Sequence, residues 1–365
     1  MKVLFLAAYS ELAASSRTRV YCFLPLLKQK GIECECICFT PAFLHKLTLQ
    51  HKGLIFKLTY YFLGFLTKII SIIYALFLAR SYDVVFIQKI IFPFGLEKVL
   101  KLLNKNIIFE FDDAIFTDED EKKSFLNKIK ANFKKNGFAN MLKVAKVSLV
   151  ENDYNRDIAF KYCSWIETIT GPIDTERYFL KEKKAKEKQF IIGWIGSSST
   201  QKYLFLVEEA LRELSQKYDI ILRLSGVQKD FNMSGVNCQI EKWDITTEVV
   251  FAQSFDIGIV PLPDNAWTRG KGNYKLLQYM ASGIPAVASP VETSKDIIED
   301  GVNGFLANSH KEWVNKISLL IENENLRKKM GIEARKTMEE RYSLKMATEK
   351  LVEIFENILN DRSNK

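Results

Sequence analysis

The sequence predicts an α/β protein built from two doubly wound parallel-sheet domains. Three observations predict it. Short apolar runs recur between stretches of helical spacing, the mark of strand–helix–strand units. That alternation breaks at the lysine-rich stretch 181–189, "KEKKAKEKQ", and then starts again. The chain's 365 residues also exceed what one hydrophobic core usually organises.

The elements follow in order. "KVLFLAA" opens the chain as a strand, because the apolar run from Val3 to Ala8 is too short for the core of a signal peptide. "SRTRVYCFLPLLKQKG" reads as a helix stopped at Gly31, and "IECECICF" as the next strand. Alternation puts Cys34, Cys36 and Cys38 on one strand face. No paired CxxC spacing accompanies them, so buried strand cysteines and no metal are expected. Free thiols point to a reducing cytoplasm. "YDVVFIQK", a helix over 94–104, "NIIFEF", a charged helix over 121–143 and "KVSLVEN" complete the first half. The run "DEDEKK" reads as a solvated helix start.

The second half runs "FIIGWIG", helix 201–216, "DIILRLSG", "FDIGIVPL", helix 271–282 and "IPAVASP". Helices over 310–322, 324–340 and 343–360 close it. The expected division is a Rossmann-like domain at 1–180, a linker at 181–189 and a second Rossmann-like domain at 190–342. Residues 343–365 would form a helix packing back on the first domain. Domains of this kind bind at the carboxyl ends of their strands, and two of them facing across a cleft would hold a ligand there.

Composition narrows the function classes. With 47% hydrophobic and 26% charged residues the chain is globular, not disordered. A formal charge of +8 suits an anionic ligand or an anionic membrane surface. Nucleic acid is not expected, since neither a basic–aromatic RNA motif nor zinc-finger spacing is present. The segment 53–79 is the most apolar, but Lys57 and Lys68 interrupt it. Lys46, Lys57 and Lys68 recur every eleven residues, which returns nearly to one helix face. Two readings stand. One is an in-plane interfacial helix within 46–80, at the inner face of the membrane. The other is a buried helix pair whose lysines reach out to water.

The richest stretch for chemistry is 267–289, "WTRGKGNYKLLQYMASGIPAVAS". Arg269, Lys271 and Lys275 crowd the start of the predicted helix, whose N-terminus already carries partial positive charge. Lys271, Lys275 and Gln278 fall at i, i+4 and i+7, hence on one face. A diphosphate near the lysines and a ribose hydroxyl near Gln278 fit that order. The alternative, a solvated basic face, sits poorly with so apolar a continuation. A second anion-holding turn is "GWIGSSSTQKYL". There Gly196 permits close backbone approach, Ser197 offers a hydroxyl, and Lys202 follows. It is neither GxGxxG nor a P-loop. Asp112 and Asp113, ending the strand in "FEFDDAIF", would accept a proton or steady positive charge, or else cap the turn that follows.

These stretches, with "SSRTRVYCFLPLLKQKG", "DVVFIQK", "GPIDTERYF" and "GVNGFL", resemble the family 4 glycosyltransferases of the GT-B fold over nearly the whole chain. The resemblance implies a retaining, metal-independent, cofactor-free sugar transfer from a nucleoside-diphosphate sugar. The implied acceptor is a cell-envelope glycan or a lipid-linked molecule. It also implies donor-binding roles for Ser16 and Arg17 after the first strand, and for Gly196, Lys202, Arg269, Lys271, Lys275 and Gln278. The family's basic pair has an arginine where this chain has Ser197. Its two glutamates, eight positions apart, correspond to Gly270 and Gln278. Two other readings keep part of this picture: a nucleotide-sugar epimerase of the same fold, and a non-catalytic basic module at the membrane. The three histidines, His45, His51 and His310, lie away from the motifs, which counts against the epimerase.

Overall fold

The computed structural model describes residues 1–44, 54–117, 125–180 and 189–361, with side chains described from 59 and from 131 onward in the second and third stretches. Residues 181–188 of the linker expected at 181–189, the run "DEDEKK" and Lys46 lie outside the described residues, as does the side chain of Lys57. The chain divides into two compact units, Met1–Pro172 with Leu344–Lys365, and Ile173–Ser343.

Unit 1 holds six parallel strands: β1 (Lys2–Ala7), β2 (Glu33–Cys38), β3 (Val84–Gln88), β4 (Ile107–Phe111), β5 (Val147–Val150) and β6 (Ile166–Thr168). They are ordered β2-β1-β3-β4-β5-β6. β3, β4 and β5 are buried along their whole length, because helices cover both sheet faces and leave no side for polar alternation. β2 is an edge strand, so its cysteines are half-buried, short of the burial expected for them. All six cysteines are free. No metal-holding cluster occurs among the described residues.

The last helix, Leu344–Asn360, belongs to unit 1. Its Leu351, Phe355 and Ile358 share one core with Phe5 and Phe86 of the sheet. The Phe5 and Phe355 rings meet edge to face, with centroids 6.4 Å apart. The C-terminal segment therefore returns to the first sheet, as expected of it.

Unit 2 holds β7 (Phe190–Ile195), β8 (Ile220–Ser225), β9 (Cys238–Glu241), β10 (Ile257–Val260), β11 (Ala286–Ala288) and β12 (Phe305–Leu306). All are parallel, in the order β12-β11-β10-β7-β8-β9. Two strand glycines make room for bulky neighbours. A Cβ on Gly258 would fall 2.2 Å from the Tyr279 ring, and one on Gly193 2.0 Å from Phe255. Tyr279 is fully buried, and its hydroxyl accepts from the Ile195 amide at 2.8 Å, tying the Tyr274–Ala281 helix to the end of β7.

The units part at residue 172, ahead of the expected 180. The reason is Tyr178, a large side chain buried in the unit 2 core, where Arg335 donates to its carbonyl and to that of Thr175. Residues 173–180 are thus anchored to the second sheet.

Candidate active site

In doubly wound sheets ligands gather where strand order reverses, at the carboxyl ends of the strands. In unit 2 that point lies between β7 and β10. The turn after β7 and the loop after β10 both emerge there, so the two basic motifs of the sequence meet at one sheet edge.

Trp194, near the end of β7, is the piece that joins them. Its ring is 1% exposed. On one side a Cβ at Gly196 would fall 2.2 Å from the ring, so only glycine lets the turn pass so close. On another side the Lys275 ammonium lies 4.2 Å from the ring centroid, a cation–π contact. Lys275 is half-buried and meets no carboxylate among the described residues. Desolvation, with a smaller push from Lys271, pulls its pKa down to about 7. Burial without an anion penalises the charged form, and an incoming anion would relieve that penalty.

The other cations are placed differently from the sequence expectation. The predicted helix over 271–282 begins only at Tyr274, so Lys271 precedes it and the i, i+4, i+7 argument fails for that residue. The cause is a separate short helix, Ala266–Arg269, opened by an Asn265–Thr268 capping box and ended at Gly270, followed by Asn273 in the left-handed region at φ 48°. Asn273 Nδ2 donates to Ser294 Oγ at 2.9 Å, and the Lys271 carbonyl accepts from Thr293 at 2.7 Å. Lys271 itself lies over the Trp267 ring at 4.7 Å.

Arg269 is exposed and ion-paired with Asp264 at 2.7 Å. Lys202 is exposed on the 3-10 turn Gln201–Val207, which replaces the first half of the expected helix, its ammonium 5.6 Å from the Tyr203 ring. Ser197 lies in an exposed hydroxyl turn, its Oγ 2.9 Å from Ser199 Oγ, and its amide donates to Thr200 Oγ1 at 3.3 Å.

Gln278 is 4% exposed and already engaged. Its Nε2 donates to the Tyr178 hydroxyl at 2.6 Å, which in turn donates to Glu248 at 3.0 Å. Glu248 also accepts from Arg177 at 2.8 Å and from Trp243 at 3.2 Å. One N–H of the amide that the sequence offers to a ribose is therefore spent on the core; the second N–H and the carbonyl oxygen are left for a hydroxyl.

Unit 1 has its own cluster at its reversal point, between β1 and β3. Lys89, just beyond β3, takes φ 56° and places its ammonium against both Asp112 and Asp113, the latter at 2.6 Å. The Asp112 carboxylate also accepts from Ser15 at 3.2 Å, and Ser15 accepts from Gln88 at 2.8 Å. Ser16 is fully buried: its hydroxyl donates to Gln88 at 2.7 Å and accepts from the Tyr9 amide at 3.1 Å. It is thus a brace of the strand-end turn and not a presented ligand. Arg17 donates to the Glu11 carbonyl at 3.3 Å.

Beneath this lies a buried charge network. Arg19 donates to Glu110 at 2.6 Å and Glu151 at 3.0 Å, and to the carbonyls of Ile169 and Gly171. Burial, ahead of the opposing pull of Arg19, pushes Glu151 up to about 8 and raises Glu110 as well. Two carboxylates share one guanidinium, so the cluster retains a proton near neutral pH.

Sequence reasoning did not single out Lys89, Arg19, Glu110, Glu151 or Trp194. A signal existed for three of them. Glu110 interrupts the apolar run "IIFEF", Glu151 directly follows "VSLV", and Arg19 falls on the apolar side of its helix. A charge inside a buried run needs a partner.

Each unit is a Rossmann-like α/β domain of six parallel strands with a charged cluster at its reversal point, and its solved likenesses are glycosyltransferases. Residues 274–337, which begin at the Lys275 helix, match the family model described as glycosyl transferases group 1. An uncharacterized glycosyltransferase of Methanocaldococcus jannaschii is 34% identical over 121 residues, 33% of this chain and 30% of that protein. The capsular polysaccharide biosynthesis glycosyltransferase CapM of Staphylococcus aureus is 22% identical, over 53% of this chain and 54% of its own length. The chain thus spans about half or less of the curated relatives it matches. Among solved structures, a glycosyltransferase from Rickettsia africae superposes with a TM-score of 0.71 at 14% identity, over 99% of both chains. HepE of Anabaena, in complex with UDP and glucose, gives 0.64 at 15% identity, over 98% of this chain and 99% of that one. At such identities the likeness is one of fold.

Proposed function

We propose that this chain is a glycosyltransferase that binds a nucleoside-diphosphate sugar at the β7–β10 edge of unit 2 and passes the sugar to a cell-envelope glycan or lipid-linked acceptor. One observation carries the reading: Lys275 is a half-buried ammonium, seated on Trp194, with no carboxylate among the described residues to neutralise it. A diphosphate supplies the missing charge. The match of residues 274–337 to the group 1 model and the UDP and glucose held by HepE point to the same class of ligand.

In this reading Lys275 and Lys271, with the amides around Gly196 and Ser197, grip the diphosphate, and Lys202 and Arg269 add charge at its rim. The bond between the anomeric carbon and the phosphate oxygen breaks, and the nucleoside diphosphate departs with the electron pair. Stabilising that developing negative charge is the main catalytic contribution. The acceptor oxygen bonds to the anomeric carbon, and its proton passes to Asp112 or Asp113. Retention of the anomeric configuration, and transfer without a metal or other cofactor, belong to the same proposal.

The test is a thermal-shift panel of nucleoside diphosphates and nucleotide sugars, with uridine diphosphate first. A ligand that binds only the folded state raises its melting temperature. The expected result is a rise with at least one diphosphate, absent in Lys275→Ala. If no member of the panel shifts the wild-type protein, the reading fails.

A further inference from the structure

The helix Leu54–Leu78 is the most unusual surface in unit 1. Its C-terminal half is anchored: Ile72, Ala75 and Ala79 just beyond it are buried in the sheet's core cluster. The opposite face is bare and apolar. Phe62, Leu66, Ile70, Ile73 and Phe77 are 66%, 43%, 57%, 62% and 79% exposed. At 100° per residue these five fall within an arc of about 80°, on the side away from the anchoring residues, and span about 22 Å of helix. Water alone is a poor neighbour for so long a stripe. Thr59–Ser81 is long and apolar enough to cross a membrane, and within it only Ile72, Ala75 and Ala79 are buried.

Charge decides the occupant. Between Glu35 and Asp83 the chain has no acidic residue but carries Lys46, Lys52, Lys57, Lys68 and Arg80. Lys68 and Arg80 are exposed. A second copy would bring together two chains that each already carry +8. An anionic bilayer meets both the stripe and the charge. Phe65 and Tyr74 are exposed on either flank of the stripe, and a tyrosine is a side chain that favours the headgroup boundary.

We infer that this helix docks unit 1 onto an anionic lipid bilayer, lying in the plane of the interface with the Phe62–Phe77 stripe immersed and Lys68, on the opposite face, kept in water. A spanning orientation would tear Ile72, Ala75 and Ala79 out of the core and carry Lys68 through hydrocarbon. The inference does not rest on the transferase reading, and its test reads no activity.

The full chain is mixed with sucrose-loaded vesicles of phosphatidylcholine alone, or with phosphatidylglycerol as a third of the lipid. Co-sedimentation with the anionic vesicles is expected to be at least ~10-fold stronger and to weaken with salt. The variant Phe62→Ser/Ile73→Ser/Phe77→Ser, altered only at exposed positions, is expected to keep its circular dichroism and lose about 10-fold or more of that binding. In Phe77→Trp, lipids brominated near the headgroup should quench the new indole more than lipids brominated at the chain end. No sedimentation with either vesicle overturns the inference. So does equal binding by the triple variant, deeper quenching by chain-end bromine, or a wild-type dimer in solution that the triple variant dissolves without any vesicle binding.

Discussion

Two lysines stand at the reversal points of their respective sheets and live in opposite circumstances. Lys89 in unit 1 is closed between Asp112 and Asp113, its charge already answered. Lys275 in unit 2 rests on an indole face with no carboxylate among the described residues, and desolvation pulls it down to about 7. The difference teaches how to read a charge at a sheet edge. A paired ammonium is part of the folded scaffold and fixes the carboxylates around it. An ammonium left unpaired at a thermodynamic cost is held for something that arrives later. The two should therefore respond to removal with opposite signs of stability.

The largest effect is expected at Lys275. Lys275→Ala should weaken nucleoside-diphosphate binding about 10–100-fold, the worth of a charge-assisted contact, as read by calorimetry. Sugar transfer should fall about 100–1,000-fold if that contact tightens as the leaving group forms. Without ligand, Lys275→Met should melt higher than wild type at pH 7, by about 2–4 °C for each kcal/mol of desolvation relieved. Lys89→Met should do the reverse. It strips the ammonium from two partly buried carboxylates and should cost about 1–3 kcal/mol, a figure lowered because Asp113 is partly solvated. A denaturant melt of both variants checks the contrast, and stabilisation by Lys89→Met would end it.

A pH experiment sharpens the same contrast. The unfolded chain holds the Lys275 proton up to its ordinary, higher range, and the folded chain releases it near 7. Between those values the unfolded state binds more protons, so Lys275's contribution to ligand-free stability grows as pH rises through the window. Binding runs the other way. A diphosphate restores the proton, so affinity should fall by up to about tenfold per pH unit above 7, with uptake of about one proton at pH 8. Calorimetry in buffers of different ionisation enthalpy measures that uptake, and Lys275→Met should abolish it.

Most of the fold was legible because it is written in periodicity. Strands such as "VVFIQ" and "IIFEF" are largely apolar because both faces of each sheet are covered, and Leu351, Phe355 and Ile358 give the last helix its apolar face. The candidate site was legible by residue type but not by arrangement. Sequence spacing put Lys271 on the Lys275 helix, but the short helix that Asn265 caps ends at Gly270, and the left-handed Asn273 begins the next one between the two lysines. Gln278 read as a ligand residue, because nothing local announces that Tyr178, a hundred positions earlier, occupies its amide. Likewise Asp112 and Asp113 were visible as a pair, but the cation between them comes from a different strand. Such partners are fixed by topology, which a local window does not contain.

Trp194 gives the smallest and most discriminating test. Its ring is the floor under Lys275 and the reason Gly196 cannot carry a side chain. Were it only core, Trp194→Phe would lower stability and leave ligand affinity alone. As a seat for the ammonium, a phenyl ring offers a weaker electrostatic face, and the lost attraction is a fraction of a total worth about 0.5–2 kcal/mol. Diphosphate affinity should then drop about 2–5-fold beyond any effect on melting, and Trp194→Leu, which has no ring, should drop further. The order Trp, Phe, Leu in affinity, measured at a temperature where all three are folded, separates a seat from a filler. Equal affinities would leave Lys275 unpaired without the indole holding it ready.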